Sequence, residues 1–165
     1  MFTEEKINEL INCPKRIVEA PKISPFSRGS RKKEFTMASK DGKYSFRAFL
    51  SQNGAFAENF SLGLVFEDKE GKDRICILRC NGKHGGNNAI PHHFTPHIHR
   101  PFAVDINAGI RSEKNISITT DYTTYEEAIQ FYVHFINLDS ADIQKHFPKP
   151  GGLYTNTLFE GLEYE

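Results

Sequence analysis

Apolar and polar residues alternate with a period of two through much of the first half of the chain. In KYSFRAFL (43–50), Tyr44, Phe46, Ala48 and Leu50 share one face, while Lys43, Ser45 and Arg47 share the other. That alternation predicts a strand with one buried side. KEFTMAS (33–39) precedes it across Lys40-Asp41-Gly42, and Asp-Gly between two such runs predicts a hairpin. NFSLGLVFE (59–67) and DRICILRC (73–80) flank the turn sequence DKEGK and predict a second hairpin. The four runs read as an antiparallel meander, with residues 97–106 and 115–120 as candidates for further short strands.

The period changes at the two ends. Thr3 is a candidate N-cap, and Phe2 and Ile7 occupy the two positions of a hydrophobic staple. Ile7, Leu10 and Ile11 form one apolar face, so residues 3–12 read as a short helix that Pro14 helps to end. Both Thr123/Glu126 and Thr124/Glu127 have capping-box spacing. Tyr125, Ala128, Ile129, Tyr132, Val133 and Ile136 then recur at helical spacing, an amphipathic helix with a core-facing stripe. A shorter helix is expected over 139–146. Residues 21–33 are rich in Pro, Ser, Gly and basic side chains and read as an exposed connection. The tail from Pro148 reads as loop. No repeat or domain boundary interrupts the chain, so residues 1–165 are expected to form a single α+β domain. Its architecture is an antiparallel sheet of about four to six strands, with the C-terminal amphipathic helix packed on it.

A chain of 165 residues can bury a core without disulfide staples. Lys+Arg and Asp+Glu are equal at 21 each. A protein held by nucleic-acid phosphates usually carries a basic excess, so direct nucleic-acid binding is not expected. The short basic run Arg28, Arg31, Lys32, Lys33 reads as a solvated loop. Phe46, Phe49, Phe56, Phe60 and Phe66 read as core residues rather than a base-stacking platform. No run of 18 apolar residues exists to span a membrane. The start, MFTEEKINEL, carries acidic residues and no apolar h-region. With three cysteines, an odd number, the expected compartment is a reducing cytoplasm.

The segment NGKHGGNNAIPHHFTP (81–96) breaks the pattern, because it has few residues with which to build a core. It is expected to be a long loop, and such loops tend to be functional or disordered. Five of the seven histidines lie between residues 84 and 99: His84, His92, His93, His97 and His99. Imidazole is a borderline ligand well suited to zinc, and a zinc site takes three or four protein ligands. In an extended His97-Ile98-His99, both imidazoles point to one face. His84 lies before a Gly-Gly pair that lets the backbone fold back. Adjacent residues in an extended chain point apart, so one of His92 and His93 is expected to bind. Cys80 is an alternative fourth ligand, Cys76 a weaker one and Asp105 a distant one. The plain alternative is a solvated His-rich loop without metal. Binding of a metal would order a loop this poor in apolar residues, since binding energy becomes folding energy.

Catalytic uses of these residues compete with that reading. A metal with an open position, together with His92 or Glu113 as base, can hydrolyse a phosphodiester. No HExxH, GxSxG, P-loop or GxGxxG motif is present. Cys76 and Cys80 lie in an apolar strand and read as buried structural thiols rather than nucleophiles.

The runs FTEEKINELINCPKRI, ENFSLGLVF, LRCNGKHGG and PHHFTPHIHRP, and the capped helix before FINL, carry a resemblance over residues 3–138. The chain resembles a family of small bacterial and phage proteins marked by a Gly/Asn-flanked His and a Pro-His-x-His run. On that pattern the matching positions are His84, His97 and His99, with His92 and His93 as extras. It also resembles the zinc-containing anti-CRISPR proteins that block a type II effector nuclease by binding it. The resemblance implies a non-enzymatic inhibitor whose zinc is a structural staple and whose partner is that CRISPR nuclease. The alternative is a metal-dependent hydrolase or toxin acting on nucleic acid.

Overall fold

The computed structural model describes residues 1–85 and 90–149. Among these residues seven antiparallel strands form one sheet in sequence order: β1 (Lys15–Ser27), β2 (Ser30–Ser39), β3 (Ser45–Asn53), β4 (Phe60–Glu67), β5 (Arg74–Asn81), β6 (His97–Arg100) and β7 (Asn115–Ile118). Among the described residues four helices accompany it: α1 (Glu4–Asn12), α2 (Ala103–Asn107), α3 (Tyr125–Phe135) and α4 (Ser140–His146). The class is the expected α+β, and the sheet exceeds the expected four to six strands. No helix among the described residues is long and apolar enough to cross a membrane.

The additional strand overlaps the segment 21–33 read as an exposed connection, whose last residues, with Arg31, Lys32 and Lys33 of the basic run, belong to β2 rather than to a loop. Residues 15–27 pair with β2 along the sheet edge. Pro21 and Pro25 are tolerated there because an edge strand has one side without ladder bonds, and the register shifts three times along it. Arg28 and Gly29 have φ of 51° and 76° and make the two-residue turn between Ser27 and Ser30. Positive φ at both central positions is what a type I′ hairpin requires. The run expected as a strand over 97–106 is half strand and half helix. Pro101 interrupts it, and the Glu4 carboxylate accepts the Ala103 N–H at 2.7 Å, capping α2.

The register explains the two faces. Leu50, Leu62, Cys80 and Ile98 lie side by side in neighbouring strands. This face packs against Ile7, Leu10 and Ile11 of α1 and Ala128, Tyr132 and Val133 of α3. Thr3 caps α1, and Thr124 with Glu127 makes the capping box of α3. The next row, on the opposite face, is Phe49, Gly63, Arg79, His99 and Ile116. Asn81, His97 and Ile118 follow in the row beyond it. The sheet therefore buries one face under helices and places the histidines on the other. The tail from Pro150 lies outside the described residues, as do residues 86–89 of the His-rich loop.

Candidate metal centre

Strand alternation puts His97 and His99 on one face, as the sequence predicts, with ring centroids 4.9 Å apart. The loop after β5 returns over them. Gly82 sits where a Cβ would lie 2.1 Å from the Glu58 carbonyl oxygen, so only glycine lets the chain leave the sheet there. The N–H groups of His84 and Gly85 donate to the His93 carbonyl at 3.0 and 3.1 Å. Residues 91–94 form a single 3-10 turn that presents His92 and His93.

Ligand nitrogens of His92, His97 and His99 all lie within 4.8 Å of one another, close enough to hold a metal ion. His93 and His84 stand beside this group, with their rings 4.0 Å apart. His84 is 5.3 Å from the ring of His97, and His93 is 4.6 Å from that of His92. The expectation that adjacent His92 and His93 point apart assumed extended backbone. In the 3-10 turn their rings stay neighbours, although only His92 joins the close triad.

His97 is fully buried. Its Nδ1 lies 2.7 Å from the Thr95 carbonyl, and His99 Nδ1 lies 2.9 Å from the Glu113 carbonyl. A carbonyl only accepts, so each Nδ1 carries the proton and each Nε2 keeps its lone pair. His97 Nε2 is shielded from solvent and has no hydrogen-bond partner among the described residues. A metal satisfies such an atom, and backbone contacts of this kind are what orient ligating imidazoles. Burial pushes His97 down to about 4, with the nearby His99, His84 and His92 adding to the effect. Burial and then neighbouring imidazoles also lower His84 and His92. All three shifts favour the neutral form that binds metal.

The other candidates fall away on geometry. Cys80 pairs with Ile98 and is fully buried on the helix-covered face, opposite to the imidazoles. Cys76 and Asp105 are not part of the close group. Burial pushes the Cys76 thiol up to about 12, and it raises Cys80 and Cys13 as well. None is a ready thiolate nucleophile. The Glu113 carboxylate accepts from Arg79 at 2.8 Å, so it is engaged rather than poised as a base.

Sequence reasoning missed Thr95 and considered Glu113 only as a base, because both act here through backbone carbonyls. It also missed Tyr122, whose hydroxyl is 3.0 Å from the carbonyls of both Asn81 and His97 and fixes β5 against β6 from the core side. No protein-family model, curated protein or solved structure matches this chain.

Proposed function

We propose that this chain is a zinc-binding, non-enzymatic inhibitor carried by a phage or mobile element, which binds and blocks a type II CRISPR effector nuclease in the cytoplasm. The zinc part rests on one observation above all: the buried His97 Nε2 has no partner among the described residues, and ligand nitrogens of His92, His97 and His99 lie within 4.8 Å of one another. Neutral imidazoles suit zinc, and a closed set of four is a structural site. His84 or His93 is the fourth ligand in this reading. The inhibitor part rests on the likeness of the sequence runs to anti-CRISPR proteins. The engagement of Glu113 with Arg79 favours binding over hydrolysis.

The test has two arms. Elemental mass spectrometry of the untagged protein should find about one zinc per chain, the stoichiometry of a mononuclear site. Chelation should lower the melting temperature. The purified protein should then form a stable complex with a type II effector nuclease, burying on the order of 1,000 Å² or more, and stop its DNA cleavage. Zinc without inhibition would overturn the partner and leave the metal site standing. Metal-dependent cleavage of nucleic acid by the protein alone would favour the hydrolase instead.

A further inference from the structure

A cavity of about 280 Å³ opens on the same sheet face, beside the Arg79–Glu113 pair. Phe49, Val65 and Ile106 give it an apolar wall, and Arg79, Arg111 and Ser112 give it a polar one. Its size approaches the lower end of small-molecule sites, roughly 300–1,000 Å³, which combine an apolar lining with a few convergent polar groups.

The polar wall is incompletely satisfied. Arg79 donates through Nη2 to Glu113 at 2.8 Å. Its Nε is shielded from solvent and has no partner among the described residues, and the same holds for Ser112 Oγ. A guanidinium offers five N–H donors in a planar fork. Arg111 uses two of its nitrogens, toward Asp73 and the Ile106 carbonyl. Two guanidinium forks and a hydroxyl-bearing residue thus line one cavity, and the Arg79 guanidinium lies over the Phe49 ring at 5.7 Å.

We propose that this cavity binds a small molecule carrying a carboxylate or phosphate on an apolar body. Arg79 and Arg111 hold the anion, because guanidinium forks match carboxylate and phosphate oxygens in a bidentate fashion. Phe49 and Val65 cover the apolar body. Glu113 competes with the ligand for Arg79, and Asp73, which accepts from Arg111 through both oxygens, competes for Arg111. The Glu113 backbone carbonyl, which holds His99, takes no part in that competition. The inference stands independently of zinc and of any nuclease partner.

Amide chemical shifts of the full-length, isotope-labelled protein would be followed during titration with inorganic phosphate, phenyl phosphate and phenylacetate. Saturable shifts at Ser112 and Glu113 are expected with at least one aromatic probe, at lower concentration than with inorganic phosphate. A preference for phenyl phosphate identifies a phosphate ligand, and a preference for phenylacetate identifies a carboxylate. Arg111→Met should weaken binding by about tenfold or more, the effect of losing one charged hydrogen-bonding group. Arg79→Lys, which keeps the charge but loses the fork, should weaken it too and serves if Arg111→Met misfolds. Glu113→Gln should tighten binding, because it removes the competing charge. Arg16→Met, on the edge strand β1 and away from the cavity, should change nothing. The absence of saturable shifts with all three probes would overturn the proposal. So would binding that is indifferent to both arginine variants, or weakened by Glu113→Gln.

Discussion

The Nδ1 atom of His99 lies 2.9 Å from the carbonyl oxygen of Glu113, and the carboxylate of the same Glu113 is 2.8 Å from Arg79. One residue thereby fixes the tautomer of a candidate ligand and ties it to the β5 side chain beside it. His97 is held in the same way by Thr95. Loss of an orienting contact alone typically costs 10–100-fold in metal affinity, so loss of a ligand should cost at least roughly 100-fold. His97→Ala and His99→Ala are each expected to lower bound metal and melting temperature together. Full metal content with unchanged melting in both variants would sink the structural site.

The metal-free protein should weaken in mild acid. Burial holds folded His97 down to about 4, whereas an unfolded imidazole titrates near ~6.5. Between those values the unfolded chain binds the extra proton, so stability rises with pH. The contribution is complete above pH ~6.5 and is lost as pH falls toward about 4. His84 and His92, also lowered by burial, act in the same direction. Urea midpoints of the chelated protein should therefore drop between neutral pH and the acid end of that window. His97→Gln should flatten part of the slope. A midpoint that is level or rises on acidification would refute the assignment.

What could be read from the sequence follows from where the signal lies. The two hairpins, the face of β3 and the Thr124–Glu127 box depend on side-chain identity at fixed spacing, and each formed as expected. Strand β1 was hidden because Pro21 and Pro25 mark a loop unless the strand is known to be an edge. The i, i+2 spacing of His97 and His99 was enough to pair them. The exclusion of Cys80 was also within reach, since Leu78 two positions before it belongs to the core face. The carbonyls of Thr95 and Glu113 leave no mark in a sequence, because any residue but one with the wrong backbone path supplies them.

Lys15 is fully buried, yet among the described residues it forms no ion pair. Its ammonium donates to the carbonyls of Ile11, Cys13 and Ile136 at 2.7, 2.8 and 2.9 Å. These acceptors lie at the C-terminal ends of α1 and α3, where backbone carbonyls lack intrahelical partners. Desolvation pulls the lysine down to about 8. Lys15→Met keeps the stem and removes the donors. Orphaned buried acceptors cost about 1–3 kcal/mol, so a loss of that size in denaturant unfolding is expected. A neutral or stabilising result would mean that water reaches those carbonyls.

Gly63 offers a prediction whose sign decides the explanation. Glycine inside a strand normally weakens it, and replacing it with alanine at a compatible site gains about 0.4–1 kcal/mol. Here a Cβ would lie 2.2 Å from two ring carbons of Phe49, its partner across the β3–β4 ladder. The centre of the same ring lies 5.7 Å from the guanidinium carbon of Arg79 in the next strand. On the other side of the sheet, the Gly63 carbonyl accepts from buried Tyr132 at 2.7 Å, so the backbone is not free to retreat. Gly63→Ala is therefore expected to destabilise by about 1–3 kcal/mol, the usual penalty of overpacking. Phe49→Leu combined with Gly63→Ala should recover part of that loss, because neighbouring sites are not additive. If Gly63→Ala alone raised the melting temperature, the Phe49 ring would have to lie elsewhere, and the apolar wall of the cavity beside Arg79 would go with it.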